Sequence, residues 1–132
     1  QALILNHRLT HLNDLILKRR KNAKFYFDNL TKQVYIPKEK SYEFNTYHTF
    51  VIQTKNRDQL KTYLEKKGIP ALIHYPIPIH LQPASKFLGH KKGDFPMTEK
   101  LSKTMLTIPI NQELKLSELK YISKTINLYF NK

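Results

Sequence analysis

Residues 47–75, YHTFVIQTKNRDQLKTYLEKKGIPALIHY, read as a strand, a helix and a second strand in direct succession. In residues 47–54 the side chains of His48, Phe50 and Ile52 fall on one face, the two-residue period of a half-buried strand. On that face His48 reads as a satisfied core histidine. Asn56 suits the N-cap of the following helix, and Gln59 three positions on completes a capping-box pattern. That helix buries Leu60, Tyr63 and Leu64 and stops at Gly68, where a left-handed C′ residue is expected. Residues 71–75 then return as a strand.

Working outward, Val34 and Ile36 alternate with Tyr35 and stop at Pro37, a short edge strand over residues 33–38. Pro96 suits the first turn of a helix running to about Thr104, and residues 105–108 form a short strand closed by Pro109. Leu116, Leu119, Ile122, Ile126 and Phe130 keep helical spacing to the end of the chain. At the other end, Leu5, Leu9, Leu12, Ile16, Ala23, Tyr26 and Leu30 form one apolar stripe, with Arg19 interrupting the row. The expected helix is continuous and about 45 Å long at 1.5 Å per residue. It opens with no Met, no N-cap and no acidic first turn. An arginine in the seam makes a poor coiled coil, so the better reading is a helix that lies against a neighbouring domain. The expected class is α+β: a small, mostly antiparallel sheet of four short strands covered by helices. Residues 1–32 are the long helix and residues 33–132 the small domain.

The 132 residues are 40% hydrophobic, enough for one cored domain. There is no cysteine, so disulfides and thiolate metal sites are excluded and a reducing compartment fits. No apolar run approaches the ~18 residues of a membrane span, and a cytoplasmic location is expected. The formal net charge of +13 makes a nucleic acid the first partner to consider. Only Arg8, Arg19, Arg20 and Arg57 are arginines, however, and recognition of bases and phosphates favours the arginine fork. The lysines spread from Lys18 to Lys132, so a solvated Lys-rich surface is the plainer reading, with a basic nucleic-acid-binding module as the alternative.

The densest chemistry lies in residues 73–82, IHYPIPIHLQ. Pro76 and Pro78 hold Tyr75 and Ile77 extended, so His74, Tyr75 and His80 sit on a backbone with little entropy left to lose. Two readings stand: a preorganised ligand-binding segment, or a structural connection whose polar side chains cap strand ends. His74 and His80 have no third ligand at a suitable spacing, so no metal is expected. The serines lack elbow glycines, the ten carboxylates form no paired motif, and three glycines make no phosphate loop. No catalytic centre is expected within these residues.

The segments Tyr47-His48-Thr49-Phe50-Val51-Ile52, Arg57-Asp58-Gln59-Leu60, Gly68-Ile69, residues 74–84, Gly93-Asp94-Phe95-Pro96, Glu99-Lys100-Leu101 and Leu106-Thr107-Ile108-Pro109 come in a telling order. With Arg19-Arg20, Ala23 and Leu30 before them, they resemble the C-terminal portion of the DegT/DnrJ/StrS sugar aminotransferases, which have the aspartate-aminotransferase fold (fold type I). The resemblance implies amino transfer from glutamate, through pyridoxal 5′-phosphate (PLP), to a keto sugar on a nucleoside diphosphate, serving O-antigen, capsule or other glycan synthesis. It also implies a homodimer. The cofactor-bearing lysine and most phosphate-binding groups belong to the large domain of that family, so none of these residues inherits them. What carries over is substrate binding by His74, Tyr75 and His80. The two prolines followed by His-Leu-Gln resemble the branch that acts on 3-keto-6-deoxy sugars linked to dTDP or UDP. Lys115 departs from the family's Ser, Thr or Asp at the N-cap of the last helix and puts that helix's start in doubt.

Overall fold

A computed structural model describes residues 1–131; Lys132, the last residue of the expected small domain, lies outside the described residues. Hydrogen bonding joins β1 (Phe50–Gln53) to β2 (Met105–Ile108) as an antiparallel pair, with Phe50 opposite Ile108 and Ile52 opposite Leu106. Alternate residues of each strand point the same way, so Phe50, Ile52, Leu106 and Ile108 all enter the core. The other two expected strands each touch this ladder at one antiparallel bridge, Tyr35 with Gln53 and Leu72 with Thr107. The sheet of four strands is thus a two-stranded ladder with single-bridge flanks. Prolines at 37, 70 and 76 explain the shortness, because each removes a backbone donor and fixes φ next to a flank.

One side of the ladder is covered by α2 (Leu12–Asn29), α3 (Arg57–Lys66) and α5 (Leu116–Phe130), and α5 packs on both others. Their buried apolar residues are Ala23 and Tyr26, Leu60 and Leu64, and Leu119, Ile122 and Ile126, spaced by three or four. Tyr26 is fully buried, yet its hydroxyl donates to the Pro109 carbonyl at 2.8 Å, and burial pushes the phenol's pKa well up. Lys115 does stand at the N-cap of α5. The Glu118 carboxylate completes the turn by accepting from the Lys115 backbone N–H at 2.7 Å, and the helix starts where its periodicity put it. Gly68 has φ 73°, the left-handed stop expected for α3.

Three expectations need correcting. The first 30 residues are two helices, α1 (Ala2–Leu9) and α2, and not one rod of about 45 Å. The Thr10 hydroxyl donates to the His7 carbonyl at 2.7 Å and the His11 N–H turns back to Arg8, so local bonds replace the helical ladder for one turn. Asn56 is the N-cap of α3, but its side chain makes no cap bond; the Thr54 hydroxyl takes the Asn56 N–H instead. His48 is exposed and precedes β1. Tyr47, at φ 48°, adopts the left-handed backbone uncommon for a side chain of its size. That turn breaks the alternation on which the core reading of His48 rested.

Residues 76–95 fold as a loop with two short 3₁₀ helices, Ile79–Leu81 and Pro83–Leu88, leading to α4 (Pro96–Thr104). A buried hydrogen-bonded contact clasps the loop: His80 Nε2 lies 3.1 Å from Glu99 Oε1, and the same oxygen accepts the Gly93 N–H at 2.7 Å. The Phe95 ring lies 4.8 Å from the His80 ring, closing the clasp.

Two outcomes follow from this packing. Ile126→Ala should cost about 2–5 kcal/mol of unfolding free energy through cavity formation, whereas Leu5→Ala, at an exposed position on α1, should stay within about 0.5 kcal/mol; urea unfolding of both variants checks this. For the clasp, the Gly93 N–H and then His80 hold the Glu99 carboxyl below its ordinary range against the opposing effect of burial. A depressed carboxyl pKa favours the folded loop above the unfolded value, about 4.3, and that advantage is lost as pH falls. The Gly93 amide should therefore lose its hydrogen-exchange protection below about pH 4, and Glu99→Ala should remove the protection at every pH.

Candidate functional site

His74 and Tyr75 are fixed by the bridge that precedes them. Leu72 exchanges both backbone bonds with Thr107, at 3.0 and 2.8 Å, which brings His74 Nδ1 to 3.1 Å from the Thr107 hydroxyl. The other ring nitrogen of His74 makes no hydrogen bond among the described residues. Tyr75 follows with its ring edge-on to His74 at 5.7 Å, and the residue is 69% exposed. The Gln82 amide donates to the Ile77 carbonyl at 3.2 Å, so the segment doubles back toward the 3₁₀ helices. His80 is separated from this pair: its side chain points inward to Glu99 and holds the loop that the other two project from.

A second group reaches the same place from α2. Arg19, half-buried on α2, donates from Nε to Gln112 Oε1 at 3.1 Å. Its Nη1 serves the carbonyls of Tyr47, His48 and Ile110, at 3.2, 3.1 and 3.5 Å. Arg19 thereby ties the strained turn before β1 to the chain leaving β2. Between these anchors lies a cleft of about 260 Å³ whose lining includes Arg19, His48, His74, Thr107 and Asn111. Sequence reasoning missed Arg19 and His48 as parts of this place. The signal for Arg19 was present, since it interrupts the apolar row of its helix.

The neighbouring Arg20 behaves differently. It forks onto both oxygens of Glu39, at 2.8 and 3.0 Å, and stacks over the Phe44 ring at 4.4 Å. These bonds hold the connection between residues 38 and 47, and Arg20 holds the Glu39 carboxyl below its usual range. Among the described residues, no group of three His, Asp or Glu side chains could hold a metal ion, and no helix is long and apolar enough to cross a membrane.

Residues 1–127 match the model of the DegT/DnrJ/EryC1/StrS aminotransferase family. The pleiotropic regulatory protein of Geobacillus stearothermophilus is 34% identical over 98% of the chain and 36% of its own length. The dTDP-3-amino-3,6-dideoxy-alpha-D-galactopyranose transaminase of Aneurinibacillus thermoaerophilus is 29% identical, over 98% of the chain and 35% of its own length. Among solved structures, DesV of S. venezuelae in complex with a ketimine intermediate superposes on all of the chain with a TM-score of 0.96 at 28% identity, the match taking 36% of that protein. A DegT DnrJ EryC1 StrS aminotransferase from Brucella abortus gives a TM-score of 0.93 at 30% identity, again over the whole chain and 35% of that protein. The chain thus spans little more than a third of the length of the proteins it matches, but the match runs through nearly all of its own residues, and the chain belongs to the DegT/DnrJ/EryC1/StrS aminotransferase family.

Proposed function

We propose that these residues are the C-terminal small-domain part of a PLP-dependent aminotransferase that moves an amino group from glutamate to a keto sugar on a nucleoside diphosphate. The observation that carries the reading is the family match over residues 1–127, reinforced by relatives named as transaminases of dTDP-linked 3-amino sugars. A 3-keto-6-deoxy sugar is the proposed acceptor. A cytoplasmic homodimer acting in O-antigen, capsule or related glycan synthesis is the proposed setting.

The described residues do not by themselves fit the cofactor. PLP needs a lysine in a pocket, a carboxylate for its ring nitrogen and a cradle for its phosphate. Every described lysine is exposed except Lys61, which is half-buried and paired to Glu65 on the same helix. The cofactor's holding groups therefore belong to the large domain in this proposal. The small-domain part contributes substrate contacts from His74 and Tyr75, which stand where the proline segment bends and is not extended as its prolines suggested. His80 serves the same site through the loop, by its bond to Glu99.

Two measurements test this. Incubation of the 132-residue chain with PLP followed by borohydride reduction should label no single lysine stoichiometrically; one uniquely labelled lysine would contradict the assignment of the cofactor to the large domain. In an enzyme carrying these residues joined to a PLP-binding large domain, His74→Ala should lower kcat/KM for the nucleotide sugar. Loss of one hydrogen bond to a charged group is worth about 1.5–3 kcal/mol, or roughly 10- to 150-fold. The half-reaction with glutamate should change much less, and the reverse pattern would move this segment to the amino-donor side.

A further inference from the structure

The cleft beneath His74 has an electrostatic imbalance. Arg19 is half-buried, and all four of its hydrogen bonds go to neutral oxygens: three backbone carbonyls and the Gln112 amide. Its Nη2 donates to nothing among the described residues, and no carboxylate there pairs with it, whereas Arg20 and Arg57 each have one. A guanidinium is always protonated. Taken partly out of water, its charge is costly unless an anion answers it.

The rest of the lining has the same character. His48 and His74 bring imidazoles, Thr49 and Thr107 hydroxyls and Asn111 an amide, and none of the lining residues is acidic. His74 is steered by its bond to the Thr107 hydroxyl, and exposed His48 has no side-chain partner among the described residues. His48 itself is turned outward by the left-handed Tyr47, whose carbonyl Arg19 holds. One arginine therefore both shapes the wall and supplies the charge. The volume, about 260 Å³, is below that of drug-sized ligand pockets but ample for an oxyanion and a few further atoms.

We infer that this cleft is an oxyanion site, in which Arg19 supplies the field and His48 and His74, with Thr107 behind, supply hydrogen bonds to a phosphate or carboxylate. The identity of the natural ligand rests on the aminotransferase reading, which offers two sources: the diphosphate of the sugar nucleotide, or a carboxylate of the amino donor. The site itself rests on geometry alone.

The test uses the 132-residue chain with its histidines ¹³C-labelled. It is titrated with inorganic phosphate and, separately, with glutarate, at about 0.15 M ionic strength, where exposed lysines are screened beyond about 8 Å. Binding should shift the ring resonances of His48 and His74 and leave those of His7, on α1, and His11, at the N-cap of α2, in place. Stronger binding of phosphate identifies the diphosphate as the source; stronger binding of glutarate identifies the amino donor; either supports the site. His48→Gln, at an exposed position, should weaken binding about tenfold, the loss of one hydrogen bond to a charged group. Arg19→Lys keeps a cation but loses the fork and should weaken it further, with thermal unfolding reporting whether that variant still folds. No shift with either anion, or shifts that His48→Gln leaves unchanged, would overturn the inference. If phosphate binds here but the full enzyme transfers no amino group, the proposed function fails and this site stands.

Discussion

The ladder between Phe50–Gln53 and Met105–Ile108 is the contact that everything else presupposes. It joins segments separated by α3, the proline loop and α4, so a large stretch of chain must close before its hydrogen bonds can form. What compensates is the inward face it creates. Phe50, Ile52, Leu106 and Ile108 become buried together, and α2, α3 and α5 have an apolar surface to cover. Each flank then attaches at one bridge. Through the bridge at Thr107, the ladder delivers His74 to the cleft.

Arg57 ties the helical layer back to this ladder. It is buried at the first position of α3, and its Nη1 donates to the carbonyls of Ser102 and Met105, where α4 turns directly into β2. Those carbonyls lie at a helix C-terminus, where orphan acceptors and the helix dipole both favour a cation. The charge is thus used structurally, in a place where an apolar residue would have left two acceptors unpaired. The loop clasp has a similar logic: Glu99, in the first turn of α4, accepts from Gly93 and from His80.

The helices were legible because their periodicity is a local property of the sequence. Leu119, Ile122 and Ile126 face the core as their spacing requires, and Pro96 and Gly68 punctuate α4 and α3. The interruption at Thr10 was not legible, because it depends on a hydroxyl competing for a backbone carbonyl, and a threonine beside an apolar row carries no sign of that choice. His48 was misread for a related reason. Strand alternation assumes extended backbone, and Tyr47 leaves it. The proline segment was singled out by its residue types, but its two histidines could not be told apart from sequence. The partner that draws His80 inward is Glu99, and the partner that steers His74 is Thr107, both distant in the chain. Residue types mark a segment as a candidate for binding; which of its side chains are left unpartnered is decided by tertiary neighbours.

The adjacent arginines sharpen that point. The chain has ten carboxylates for 23 lysines and arginines, so acidic partners are scarce. Where they stand against buried or half-buried groups they do structural work: Glu39 on Arg20, Glu99 on His80. Arg19 lies between the apolar face of α2 and the end of β2 and receives none. Carbonyl dipoles can orient a guanidinium, but they cannot neutralise it, since each carries only a partial charge. A carboxylate at Gln112, whose amide oxygen already meets Arg19 Nε, would have neutralised it with almost no change of shape. The amide keeps the hydrogen bond and leaves the charge available, which is the arrangement expected where the answering anion comes from a ligand and not from the fold.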